Sequence, residues 1–180
     1  FYFKTNMTIS IVGVGLIGGS IALKLKEQKV ATKIIGVDHN TNHLKEALEL
    51  NIIDEALNLD LAIKQSDLVI IAIPVDATSK IIETILNTID NKTTVMDVGS
   101  TKSEIVKSIE NHPKRSQFVA SHPMWGTENN GPKAASAIAF KDRAAVICNG
   151  EESSEKSIEL VKSIYKSLEM NILYMDAEEH

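Results

Sequence analysis

The strongest constraint on this chain is a glycine-rich turn set between a strand and a helix. Thr8-Ile9-Ser10-Ile11-Val12 reads as a short apolar strand, and Gly13-Val14-Gly15-Leu16-Ile17-Gly18 follows at once. Beyond the turn, Ile17, Ile21 and Leu25 recur at helical spacing, with Lys24, Lys26 and Glu27 between them. In a strand–helix–strand unit the first glycine permits the tight turn. The second lets an anionic group reach the backbone, and the third lets the helix close on the sheet. Gly13, Gly15 and Gly18 fall in those places. Leu16 and Ile17 open the helix, where free N–H groups and the positive end of the dipole meet a pyrophosphate.

A glycine triplet alone is weak evidence; the order strand, turn, helix, strand, acid is stronger. Lys33 to Val37 is the second strand, and Asp38 ends it 20 residues after Gly18. A carboxylate there accepts hydrogen bonds from both adenosine ribose hydroxyls and repels a 2′-phosphate, which selects NAD over NADP. Asp38 could also be a strand-end turn residue or a cap for the next helix. Pro74, at the end of the third strand, would lie beside the cofactor or simply terminate the strand.

The rest of the chain alternates apolar runs with amphipathic helical patterns. A second helix carries Leu44, Ala47 and Leu48, and Leu68 to Ile73 is apolar without alternation, as in a strand buried on both faces. Asp76 can cap the helix carrying Ile81, Ile82, Ile85, Leu86 and Ile89. Strands at Thr94 to Val98, Gln117 to Ala120, Ala144 to Cys148 and Asn171 to Tyr174 follow, with helices after Ser100 and from about Ser154 to Ser167. This order predicts an α/β, Rossmann-type, doubly wound and mainly parallel sheet with helices on both faces. The expected domain spans 8–174, and residues 1–7 read as an N-terminal extension or cloning remnant. Residues 175–180 read as the first turn of a helical domain that continues beyond the chain.

Composition narrows the function. A net charge of −5 over 180 residues excludes a general affinity for nucleic acid or acidic membranes, which need a basic face. The longest apolar run, Leu68 to Val75, is far short of the ~20 residues that span a bilayer. Cys148 cannot form an internal disulfide and sits in an apolar run as a small core residue. The lack of a disulfide framework fits a reducing cytoplasm.

Among five histidines, His39, His43, His112 and His180 carry no positional signal. His122 directly follows a buried-type strand and opens the one long aperiodic stretch, Ser121 to Arg143. Loops at strand carboxyl ends face the cofactor cleft in this architecture. An imidazole there can take a substrate hydroxyl proton as hydride leaves, or it can be satisfied by loop backbone. In Asp97-Val98-Gly99-Ser100-Thr101-Lys102, Thr101 and Glu104 form a capping box. Ser100 either caps as well or faces the substrate. Glu128 guards the pocket or is solvated, and Trp125 covers the substrate or anchors the loop.

Three segments together resemble the prephenate dehydrogenase family of tyrosine biosynthesis: Gly13 to Ser20, Asp97 to Lys102 and Ser121 to Glu128. Asp176-Ala177-Glu178-Glu179-His180 is similar to that family's junction into a helical second domain. The resemblance implies NAD-dependent oxidative decarboxylation of prephenate to 4-hydroxyphenylpyruvate. It makes His122 the catalytic histidine on the ring hydroxyl, with Ser100 beside it and the nicotinamide. It also places Thr127 and Glu128 at the substrate pocket. It further implies a homodimer formed through the second domain, and little or no dehydrogenase activity from this chain alone. Trp125 departs from the family, which often has a small residue there. Arogenate or 3-hydroxyacid dehydrogenases, or a non-catalytic NAD-sensing domain, are the alternatives.

Overall fold

The computed structural model describes residues 6–125 and 129–180. The strands are β1 (Thr8–Val12), β2 (Lys33–Val37), β3 (Glu55–Ala56), β4 (Leu68–Ile71), β5 (Thr94–Asp97), β6 (Phe118–Pro123), β7 (Ala144–Cys148) and β8 (Asn171–Met175). The helices are α1 (Leu16–Glu27), α2 (Thr41–Glu49), α3 (Leu59–Gln65), α4 (Val75–Thr88), α5 (Ser103–Ser108) and α6 (Glu155–Ser167). One sheet runs in the order β3-β2-β1-β4-β5-β6-β7-β8. The first six strands are mutually parallel, β7 is antiparallel to β6, and β8 is parallel to β7. This is the expected Rossmann-like architecture.

Side chains alternate across the sheet as the pleat requires. Ile9 and Ile11 of β1, Leu68 and Ile70 of β4, Met96, Val119 and Ile147 share one core with Ile21 and Leu25 of α1, Ala47 of α2 and Val161, Ile164 and Tyr165 of α6. Val69 and Ile71, Val95, Phe118, Ala120 and Cys148 point the other way, against Ile63 of α3, Ile82, Ile85 and Leu86 of α4, and Ile105 of α5. Each fully buried aliphatic side chain contributes roughly 1.5–3 kcal/mol. Cys148 is a core residue as expected, and burial pushes its thiol up to about 11. Among the described residues, no helix is long and apolar enough to cross a membrane.

Several local expectations are corrected. The sequence pattern contains no sign of β3 or α3, because a two-residue strand has no period and α3 buries only Ala62 and Ile63. β6 runs on to Pro123, so His122 lies within a strand rather than at the mouth of a loop. Pairing with β7, His122 to Val146 and Pro123 to Ala145, extends it. Asp76 does not cap α4. The cap position is Pro74, and Asp76 sits in the first turn, where its charge faces the helix dipole. The capping box of Thr101 and Glu104 does not form either. Lys102 occupies the cap position of α5 without a side-chain bond, and its side chain turns inward to Asp97.

The approach of α1 to the sheet sets the position of everything at its carboxyl edge. Gly13 has φ +100°, and a Cβ there would lie 2.8 Å from both the Ala72 carbonyl carbon and Ile73 Cγ2. A Cβ on Gly18 would collide with the Gly13 carbonyl oxygen and come within 2.9 Å of Ile11 Cγ2. Gly15 differs: nothing lies within 4 Å of its Cβ position. Gly18→Ala is therefore expected to destabilise the fold by about 1–3 kcal/mol or more through overpacking against backbone. Gly15→Ala, at a helix N-cap, is expected to cost under about 1 kcal/mol. Denaturant melts of the two variants compare them directly, and equal losses would contradict this account of the turn.

Candidate functional site

The carboxyl ends of β1, β2, β4, β5 and β6 converge on one edge. Chain order reverses at β1, which lies between β2 and β4, and open α/β sheets bind ligands at such a switch point. Gly15 is the N-cap of α1 and provides no side-chain cap, and the first turn contains no acidic residue. The N–H groups of Leu16 and Ile17 have no carbonyl one turn earlier to bond. Open space over Gly15 and an uncapped helix start make a cradle for an anion.

Asp38 closes the other side of this cradle. Its Oδ2 accepts from Val14 N at 2.9 Å, and its Oδ1 accepts from Asn40 N at 2.8 Å. The side chain is 8% exposed, with His39 and His43 ring nitrogens each 3.7 Å from it. Asp38 therefore does act as a turn residue and also ties β2 to the glycine turn. Each carboxylate oxygen keeps a second acceptor site. The cap of α2 is Asn40, whose Oδ1 accepts from Asn42 N and His43 N, so Asp38 is not that cap. β4 ends at Ile71 rather than running to Ile73, so Pro74 is not its terminator; Pro74 lies beyond the strand at the N-cap of α4.

Ser100 and His122 lie just past β5 and within β6, which are neighbours in the sheet. Ser100 is exposed, and α5 starts at Ser103 without any side-chain cap, so the capping alternative for Ser100 falls away. His122 is half-buried, and burial, followed by the nearby His180 and the Lys102 ammonium, pulls its imidazole down to about 4. The ring is thus neutral at neutral pH, with a free nitrogen lone pair that can accept a hydrogen bond. His122 Nδ1 lies 2.9 Å from His180 Nε2, and the two rings meet edge to face with centroids 5.0 Å apart. His180, unremarkable in the sequence and 58 positions away, is a neighbour of His122 that spacing could not have found. A turn begun at Asp176, whose carbonyl accepts from His180 N and whose Oδ1 accepts from Glu179 N, delivers it there.

The long stretch after β6 does more than wander. Trp125 packs edge-on against Phe140, centroids 5.1 Å apart, which gives it the loop-anchor role. A short 3-10 turn at Pro132–Ala134 seats the segment near α1, where Ser136 N donates to Ser20 Oγ at 2.9 Å. Lys133 lies 3.6 Å from Glu46 of α2. Thr127 and Glu128, expected at the pocket, lie outside the described residues.

Residues 21–174 match the family described as "Prephenate dehydrogenase, nucleotide-binding domain". Prephenate dehydrogenase of Bacillus subtilis is 34% identical over 176 residues, covering 96% of this chain and 47% of the relative. Cyclohexadienyl dehydrogenase of Zymomonas mobilis is 28% identical over 173 residues, covering 96% and 59%. Among solved structures, prephenate dehydrogenase from A. aeolicus in complex with hydroxyphenyl propionate and NAD+ superposes with a TM-score of 0.89 at 29% identity. That match covers 97% of this chain and 61% of the other. The chain spans about half the length of the curated relatives it matches. A glycine turn, an acidic strand end and a half-buried histidine along one edge of the sheet thus stand in a chain that belongs to the prephenate dehydrogenase family, in its nucleotide-binding domain.

Proposed function

We propose that this chain is the NAD-binding half of a prephenate dehydrogenase, acting by oxidative decarboxylation to 4-hydroxyphenylpyruvate. The observation that carries the reading is a neutral, half-buried His122 on the strand end next to Ser100, at the edge that also bears the dinucleotide cradle. The cradle fits the cofactor on its own chemistry. The α1 N-terminus over Gly15 suits a pyrophosphate, and Asp38 suits a ribose diol while opposing a 2′-phosphate.

NAD+ bound there supplies the hydride acceptor. His122 accepts a hydrogen bond from the substrate's ring hydroxyl and holds its proton while hydride leaves the same carbon. The ring carboxylate then departs as CO2, its bonding electrons aromatise the ring, and the proton returns to the phenolate oxygen. Ser100, just past the end of the strand beside that of His122, orients the hydroxyl and the ring. Aromatisation supplies most of the driving force, so the protein's main task is alignment. Prephenate is preferred over arogenate on the name of the 34% identical relative. The probable arogenate/prephenate dehydrogenase of Methanocaldococcus jannaschii, 28% identical over 182 residues, makes arogenate the alternative substrate. Substrate carboxylate recognition and a homodimer interface are assigned to the additional length that the relatives possess.

Calorimetric titration of the chain should give clearly tighter binding of NAD+ than of NADP+, and Gly15→Ala should weaken NAD+ binding without unfolding the domain. A preference for NADP+ would refute the role given to Asp38. In the full-length enzyme, His122→Asn should lower kcat by about 10²–10⁴ while NAD+ affinity stays near its starting value. Undiminished turnover would remove His122 from the mechanism, and no NADH signal from either prephenate or arogenate with the unaltered enzyme would overturn the reaction. His122 should also titrate, by NMR of its ring protons, with a midpoint below the ordinary imidazole value of 6.5. Because its folded-state pKa is depressed, its contribution to stability is present above 6.5 and fades as pH falls toward about 4. A midpoint at or above 6.5 would show that the imidazole is not desolvated.

A further inference from the structure

The backbone ladder between β5 and β6 stops early. Val95 pairs with Phe118 and Met96 with Val119, and no pairing follows, so the two strands part just where their ends enter the site. The next residue on β5 is Asp97, which is fully buried. Its Oδ1 accepts from Ser121 N at 3.1 Å, and its Oδ2 accepts from Gly99 N at 3.1 Å. Oδ2 also pairs with the Lys102 ammonium, itself fully buried. The Asp97 carbonyl accepts from Ser121 Oγ at 2.7 Å, and Ser121 Oγ lies 2.7 Å from the Tyr165 hydroxyl of α6. Since the Ser121 proton goes to Asp97, Tyr165 is the donor in that last bond. Burial pushes the Tyr165 hydroxyl up, so it keeps its proton.

Gly99 immediately precedes Ser100, and Ser121 immediately precedes His122. One carboxylate therefore grips the backbone next to each of the two candidate site residues. We propose that Asp97 is a positioning residue, its carboxylate setting the spacing of Ser100 and His122 through the amides of Gly99 and Ser121, with Lys102 as its counter-charge. The proposal rests on the dehydrogenase reading of Ser100 and His122.

Stability alone does not account for this arrangement. A buried ion pair is often no better for stability than apolar side chains of the same size. What an apolar pair cannot do is accept two backbone N–H groups from segments that diverge. The Ser121 amide would otherwise be buried without a partner, and the half-buried Gly99 amide would lose its own, where the ladder has ended. The Lys102 ammonium has a second effect, since it disfavours protonation of His122.

The test is the double variant D97N/K102M in the full-length enzyme, which removes both charges together so that neither is left buried alone. An asparagine offers one acceptor oxygen, so one of the two amides loses its bond. Hydrogen exchange at the Gly99 or Ser121 amide should quicken, and NAD+ affinity should stay within about threefold. The kcat with prephenate should fall on the order of 10- to 100-fold, as a misplacement near 1 Å does. The His122 titration midpoint should rise as the ammonium is lost. D97E is the companion should the double variant fail to fold. It keeps the charge and Lys102 but displaces the carboxylate by one methylene, and the same kcat loss with intact NAD+ binding is expected. Unchanged kcat in a folded variant, or amides that stay protected, would overturn the proposal. An unaltered enzyme inactive on both prephenate and arogenate would instead sink the dehydrogenase reading and the positioning role with it, whatever the amides do.

Discussion

Contact between α1 and the sheet without intervening side chains is the constraint on which the remaining structure depends. Gly18 sits on the Gly13 carbonyl, and Gly13 sits on the backbone at Ala72, so helix, turn and the chain just past β4 are in direct backbone contact. That closeness brings the N-terminus of α1 to the carboxyl ends of β1 and β4. It also fixes where β2 must end, because Gly13 N donates to Val37 O at 2.7 Å and Val14 N to Asp38 Oδ2 at 2.9 Å. The acidic strand end and the open helix start are thereby parts of one rigid unit. A larger residue at Gly18 would force the helix outward and separate them.

The other half of the site arises where the parallel arrangement breaks. β7 returns antiparallel to β6, and its pairing prolongs β6 through His122 to Pro123. On the opposite side β6 has already parted from β5. His122 is consequently fixed by a strand on one side, with no strand pairing on the other. A rigid strand holds a side chain more precisely than a loop does, which suits the role proposed for His122. Asp97, Lys102, Ser121 and Tyr165 form one linked polar cluster there, joined by hydrogen bonds among themselves.

Much of this was legible in the sequence, and the exceptions have physical reasons. The glycine turn and the acidic end of β2 could be read because local chemistry restricts them: a positive φ, a close approach, a strand terminus. Ser100 and His122 stood out by position but with a structural alternative each, and their functional reading came from resemblance. Elements with a clear period, such as α4 and α6, could also be read. The two-residue β3 and the seven-residue α3 could not, since a pattern shorter than its own period carries little signal. Capping was misread at Thr101 because a tertiary partner, Asp97, draws Lys102 inward and moves the helix start to Ser103. His180 was passed over for the same kind of reason. Its contact with His122 spans 58 positions and leaves no trace in spacing.

The sequence by itself determined the fold class, the dinucleotide-type turn and the residues able to do proton chemistry, because each follows from interactions within a few residues of the chain. Tertiary structure alone decided which of them meet. It made His122 a strand residue with a depressed pKa, set His180 against its ring, and turned Asp97 from a strand-end acid into the link between the backbones of Gly99 and Ser121. Burial and the close pairing of distant groups set those properties, and both exist only once the sheet has formed.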